Sequence, residues 1–504
     1  MKHILIVCSH FWPSRGGLES RMGQFAAELI AYGYRVTVLT NIHPERVSNE
    51  FQGVLIQSLA ANEFTPFIRS SVQSGLYHAC ILVQDPLGEI IWSIEGLTTN
   101  PNTRILIQPI INADGYESWK NDLNFEKRLA KILTEVGQPL VMTKSGPDTH
   151  YMKKYQLPSI YIPNATSITP SAGDFRSQYG IRKDHFLILH VANLFWVKNH
   201  SGLMDSLSDL PESWKLVMIG NPTGEPDCVN FVYQKLSNRP DILFIPGLPR
   251  EWISAAMEAA NAVVLASKGE GSPITILEAM SHKKPWIATP ECGAANDHLG
   301  GFICRLSEFK KYLNAIKESP SCAQQLGLVS YEHWMKCYSW PVVIRGWVEL
   351  IEQGNLNHDF LPDDKLIKRM AQIQSEIHEI INSTNIFSAE NIIDLLSNHL
   401  DENTVANLKD GKFNLFQLVE VAQELIKSKK FSLAAFLYQY WIYKNESTMI
   451  FAAYYNLGTI FENLGELYSA RKAYENSIKL NPSFELAMVG LKRVNLSLLE
   501  YLNT

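Results

Sequence analysis

Two glutamates separated by seven residues, most of them small or apolar, stand in Ser267-Lys268-Gly269-Glu270-Gly271-Ser272-Pro273-Ile274-Thr275-Ile276-Leu277-Glu278-Ala279-Met280, directly after a strand-like run. If 272–280 opens a helix, its first-turn amides face the preceding loop, where an anion such as a diphosphate can dock. Ser272, Ile274 and Thr275 can offer those amides, while Pro273 has no N–H to give. The carboxylates of Glu270 and Glu278 would then accept hydrogen bonds from hydroxyl groups nearby. Alone, such a pair more often faces solvent, and the reading depends on the elements around it.

Those elements alternate. His3–Val7 reads as a strand, residues 18–32 as a helix and 34–40 as a second strand, which is a βαβ opening. Apolar runs follow at 79–83, 104–107, 139–142 and 159–162, so the first half is expected to be parallel α/β. After the polar stretch 166–177 the alternation restarts at 186–192, 214–220, 242–245, 262–266 and 285–289. Two doubly wound domains in tandem would leave a cleft at the carboxyl ends of their strands, where open α/β sheets bind ligands. Gly16-Gly17 falls at the start of the first helix, where glycine lets backbone come close to a ligand; a simple tight turn is the plainer alternative.

From Asp364 the strand signal stops and helical spacing takes over, at 370–381, 389–400 and 415–426. Within this region Tyr454, Leu457, Gly458, Phe461, Gly465, Ala470, Tyr474, Ser477 and Pro482 stand at the spacings of a tetratricopeptide repeat (TPR). A weaker copy precedes it, with Leu418, Val421, Ala422, Leu425, Ala434, Tyr438 and Trp441 in matching positions. Such helices either present a protein-binding surface or only pack against one another and cap the chain.

Composition sets the bounds. A chain of 504 residues is too long for one core, and 46% hydrophobic with 19% charged residues is ordinary for a folded protein. A formal net charge of -6 announces neither a nucleic-acid partner nor an acidic membrane surface. The seven cysteines are scattered without a C-x-x-C pair, which fits a reducing, cytoplasmic setting better than a disulfide framework. No apolar stretch is long enough to span a bilayer, and the short N-terminal run reads as a buried strand rather than an export signal.

Phe11-Trp12-Pro13-Ser14-Arg15-Gly16-Gly17-Leu18-Glu19, Ile162-Pro163-Asn164-Ala165, Leu194-Phe195-Trp196-Val197-Lys198-Asn199, the Glu270–Glu278 segment and Tyr338-Ser339-Trp340 together resemble the retaining GT-B glycosyltransferases of family four. The resemblance covers roughly residues 1–353. It implies an α/β fold of two Rossmann-like domains facing a cleft, 1–168 on the acceptor side and 169–340 on the sugar-nucleotide side. A crossover helix and linker at 341–363 and an all-α TPR-like domain at 364–504 complete the expected architecture.

By this resemblance Glu278 would hold the ribose hydroxyls of a nucleoside-diphosphate sugar, and Glu270 would sit beside the transferred sugar. Lys198 would neutralise the departing diphosphate, assisted by the amides of Ser272, Ile274 and Thr275 and by the Gly16-Gly17 loop. Asn193 stands where most relatives carry an arginine, so one phosphate contact changes character; Arg15 and Arg305 are candidate substitutes. The first-domain histidine of the family is also absent, leaving Gln108 or Asn112 as hydrogen-bonding groups, while His78, His150 and His190 read as structural. No Asp-x-Asp pair or histidine–carboxylate cluster has metal spacing, so no metal and no other cofactor is expected. The implied reaction is metal-independent transfer, with retention, to an acceptor glycan or to a protein recruited by the TPR region. The alternatives are a carbohydrate- or lipid-directed enzyme whose repeats drive self-association, and a catalytically weak scaffold.

Overall fold

A computed structural model of the chain describes residues 1–14, 16–84, 89–109, 125–137, 139–384 and 389–503. The apolar run His3–Val7 is β1, and β2 (Arg35–Asn41), β3 (Glu50–Phe51), β4 (Val54–Leu59), β5 (Ala79–Gln84), β6 (Arg104–Pro109), β7 (Leu140–Thr143) and β8 (Ile160–Tyr161) follow. They form one sheet in the order β3-β4-β2-β1-β5-β6-β7-β8. Every pairing is parallel except that of the short edge strand β3 with β4. Helices cover both faces, so the central strands are apolar on both sides: Ile4, Leu5, Ile6 and Val7 are all fully buried.

A second sheet repeats the design with β9 (Phe186–Val191), β10 (Trp214–Ile219), β11 (Leu243–Ile245), β12 (Ala262–Leu265), β13 (Trp286–Ala288) and β14 (Gly301–Ile303). Its order is β11-β10-β9-β12-β13-β14, all parallel. Strand order reverses between β9 and β12, and in the first sheet between β1 and β5. Such switch points open a crevice at the strands' carboxyl ends. The Gly16-Gly17 loop follows β1, the Lys198 turn follows β9 and the Glu270 loop follows β12, so the topology places all three at crevice mouths.

The two sheets belong to one compact unit, Met1–Gln374. The helix Trp340–Gln353 ties them: Trp340 Nε1 donates to Gln24 Oε1 (2.8 Å), and Phe25 of the helix Gly17–Ala31 packs on Trp340 and Trp347, both buried. Further along it, Arg104 Nε donates to the Ile351 carbonyl (2.9 Å) and Tyr34 donates to Glu352 (2.6 Å). This helix packs on the first sheet's side.

Residues 375–504 form the second compact unit, which is entirely helical among its described residues. The helices Ile450–Asn463 and Leu467–Leu480 are the antiparallel pair that the repeat spacing predicts, preceded by Leu415–Lys427 and Phe431–Lys444 at the weaker copy. Gly458 is required by contact: a β-carbon there would lie 2.7 Å from the Tyr474 ring. Asn414 and Gln417 form a reciprocal capping box at the start of Leu415–Lys427, satisfying orphan amides.

Candidate functional site

Glu270 lies in the loop that leaves β12. Its carboxylate pairs with Lys198 Nζ and accepts from Ser267 Oγ (2.9 Å), which fixes it from two sides. The loop is held by backbone as well: Lys268 N donates to the Val197 carbonyl (2.7 Å), joining it to the Trp196–Lys198 turn. Glu270 N donates to the Glu291 carbonyl (3.0 Å) and Ala294 N to the Gly271 carbonyl (2.9 Å). Gly293 sits at φ +53°, and a β-carbon there would come within 2.2 Å of the Glu270 carbonyl oxygen. This supporting turn had no signature in the sequence reading.

The helix Ile274–Ser281 begins after Pro273, which leaves the amides of Ile274 and Thr275 without a preceding turn to bond. Thr275 spends its hydroxyl on the Val191 carbonyl at the end of β9 (2.9 Å), and Asn164 Nδ2 donates to the Ser272 carbonyl (3.0 Å). Asn164 comes from the segment that leaves the first sheet, so both halves of the unit position this turn. The Gly16-Gly17 loop faces it: a β-carbon on Gly17 would lie 3.9 Å from Ile274 Cγ1. Gly17, Ile274, Thr275, Glu270 and Lys198 thus meet at one crevice.

Glu278, one turn further on, accepts from Arg250 Nη2 (3.3 Å). Burial pushes its carboxyl up from the usual glutamate range, and Arg250 partly opposes that shift. Arg250 opens the helix Arg250–Ala259 and was not anticipated, because the contact joins elements 28 residues apart.

Asn193 is engaged with the protein itself. Its Oδ1 accepts from both the backbone N and the Nδ2 of Asn221 (3.1 Å each), tying the loop after β9 to the loop after β10. Arg305 is exposed, and Arg15 and Asn112 lie outside the described residues. Gln108 is buried at the end of β6, where its Oε1 accepts from Arg21 Nη2. His190 is fully buried beside His200; burial holds the two near 4 and 3, so both stay neutral and do structural work. Among the described residues, no group of three or more His, Cys, Asp or Glu side chains could hold a metal ion.

Residues 172–318 match the family described as glycosyl transferases group 1, and residues 451–484 match the tetratricopeptide repeat. The chain carries a glycosyl transferases group 1 domain. That domain spans the whole second sheet and both glutamates. A curated relative, the lipopolysaccharide glucosyltransferase WaaG of Escherichia coli K12, is 28% identical over 154 residues, which are 30% of this chain and 37% of that protein. The chain therefore spans little more than a third of that relative's length.

Solved structures extend the likeness to the whole two-sheet unit. Sucrose-phosphate synthase from Thermosynechococcus elongatus superposes with a TM-score of 0.58 at 18% identity, over 70% of this chain and 99% of that one. Anabaena HepE in complex with UDP-glucose gives 0.57 at 16% identity, again over 70% of this chain and 99% of that one. The group 1 domain and its partner sheet adopt the GT-B fold, followed by helical repeats.

Proposed function

We propose that the chain is a glycosyltransferase that moves a sugar from a nucleoside-diphosphate sugar to an acceptor hydroxyl with retention and without a metal ion. The observation that carries this reading is the crevice where the Glu270–Lys198 pair and the open first turn of Ile274–Ser281 face the Gly16-Gly17 loop. The amides and Lys198 receive the diphosphate and stabilise its growing charge as the glycosidic bond breaks. Glu278 holds the ribose, exchanging Arg250 for two hydroxyl donors, and Glu270 orients a hydroxyl of the sugar. The leaving diphosphate takes the proton of the incoming hydroxyl on the same face, so the protein need supply no nucleophile. HepE was solved with UDP-glucose, which makes UDP-sugars the first donors to try.

The repeat unit is assigned to recruiting a protein, either the acceptor or a partner. No helix among the described residues is long and apolar enough to cross a membrane, and all seven cysteines are buried thiols; a cytoplasmic location belongs to the same proposal. The decisive experiment is hydrolysis across a panel of sugar nucleotides. Turnover in the wild type that disappears in Glu270→Ala supports the reading. Failure of the wild type to bind any nucleotide refutes it. Removing residues 375–504 tests recruitment separately: hydrolysis is expected to persist while transfer to a protein acceptor falls.

A further inference from the structure

A second charged cluster lies at the carboxyl end of the first sheet. Arg21, in the second turn of Gly17–Ala31, is 5% exposed, and Lys144, the first residue after β7, is 6% exposed. Arg21 spends Nη2 on Gln108 at the end of β6, yet Nη1 is buried without a hydrogen-bond partner. The charges of Arg21 and Lys144 act on each other, and burial drives the Lys144 ammonium well below its ordinary range and the guanidinium down to about 9. Asp148, itself buried, is the carboxylate that faces Lys144.

A buried guanidinium with one nitrogen aimed at no acceptor, beside a buried lysine whose ammonium form burial disfavours and one carboxylate faces, is a costly arrangement for a folded protein unless something else uses these groups. Their position supplies the use. They stand at the strand ends of the sheet opposite the donor helix, with Arg21 four residues along from Gly17, where a β-carbon would lie 3.9 Å from Ile274 Cγ1 on the donor side. We infer that Arg21 and Lys144 form a binding site for an anionic oxygen group, a phosphate or a carboxylate, carried by the acceptor. A guanidinium suits such a group because its N–H donors match paired oxygens, and a bound anion offsets the burial that disfavours the Lys144 ammonium, so that Lys144 adds a point charge in the complex. The assignment to an acceptor rests on the glycosyltransferase reading; the anion site rests on the cluster alone.

The test is calorimetric titration of the full-length chain with inorganic phosphate, and separately with acetate, after saturation with UDP to fill the donor crevice. Wild type is expected to bind at least one anion, and Arg21→Gln and Lys144→Met each to weaken that binding at least tenfold. Retained UDP binding verifies that the variants are folded. Whether phosphate or acetate binds tells which group the acceptor carries. If UDP binds while both anions are ignored, or are bound equally by wild type and variants, the inference is overturned and the donor reading survives. If UDP never binds but phosphate binding still requires Arg21, the site stands and its assignment to an acceptor falls.

Discussion

The two sheets of the Met1–Gln374 unit handle charge in opposite ways. On the second sheet each site carboxylate already holds a cation: Glu270 holds Lys198, and Glu278 holds Arg250. On the first, Arg21 and Lys144 are buried with Arg21 Nη1 left unbonded; Arg250 also leaves Nε unbonded, but its Nη2 is spent on a carboxylate, whereas Arg21 Nη2 is spent on the neutral Gln108. A ligand reaching the second sheet must therefore replace an existing partner, and its affinity is a difference between two sets of hydrogen bonds. A ligand reaching the first meets donors that the protein has desolvated in advance, so less is given up on binding. On the proposed readings the second sheet is a side for exchange and the first a side for capture.

The largest expected effect lies on the exchange side. On the proposed function Lys198 is the cation that meets the departing diphosphate, so Lys198→Ala is expected to lower turnover about 10²–10³-fold, the scale seen when one preorganised stabilising group is lost. Single-turnover kinetics with a sugar nucleotide measure it. Unchanged turnover in this variant would erase the contrast, because Lys198 would then be no more than Glu270's partner. Next in size is Glu278→Gln, which on the proposed function halves the acceptor capacity offered to the ribose. Its nucleotide dissociation constant is expected to rise roughly tenfold or more, as for loss of a charged hydrogen bond of about 1.5–3 kcal/mol, with turnover at saturating donor nearly preserved. A drop in turnover with affinity intact would move Glu278 from the ribose to the reacting sugar.

How much of this was readable in the chain follows from what kind of contact each feature needs. Strands β1, β2, β9, β10 and β12 are continuous apolar runs because both faces of a parallel sheet are covered, and their ends were found within about two residues. β4 was missed because Gln57 and Ser58 break its run, and β14 because it opens on Gly301 and leaves only Phe302 and Ile303 as its apolar run. The repeat pair was legible from the small residues Gly458 and Ala470 between aromatic ones, since close helix packing demands that spacing. Glu270, Lys198 and Glu278 were singled out through strand–loop–helix order, and the structure places Glu270 against Lys198 and Glu278 against Arg250. Arg250, Gly293 and Arg21 were not, because each acts through a partner distant in sequence. Arg21 in particular reads as an ordinary helix residue until the fold buries it. Asn193 looked like a phosphate-side position, while its carboxamide is engaged with Asn221.

The smallest effect tests whether exchange at Glu278 is sensitive to proton concentration. Burial raises this carboxyl in the folded protein, so the anion to which the proposed function gives the ribose is lost at a higher pH than an ordinary glutamate of about 4.3 would be. Stability runs the other way. A carboxyl raised in the folded state favours folding fully below its unfolded pKa, and that contribution is lost as pH rises through the folded value. Acidification from neutral pH is therefore expected to weaken nucleotide binding in the wild type but not in Glu278→Gln. The melting advantage of Glu278→Gln over wild type, present at neutral pH, is expected to shrink over the same range. His190 and His200 do not confound the comparison, because burial acts on them equally in both proteins and the difference between the two cancels it. Nucleotide affinity and thermal unfolding measured from pH 7 to pH 4.5 on both proteins decide the matter. Parallel pH profiles would mean that Arg250 keeps Glu278 ionised throughout, and that the exchange side is closed by its ion pairs as firmly at pH 5 as at pH 7.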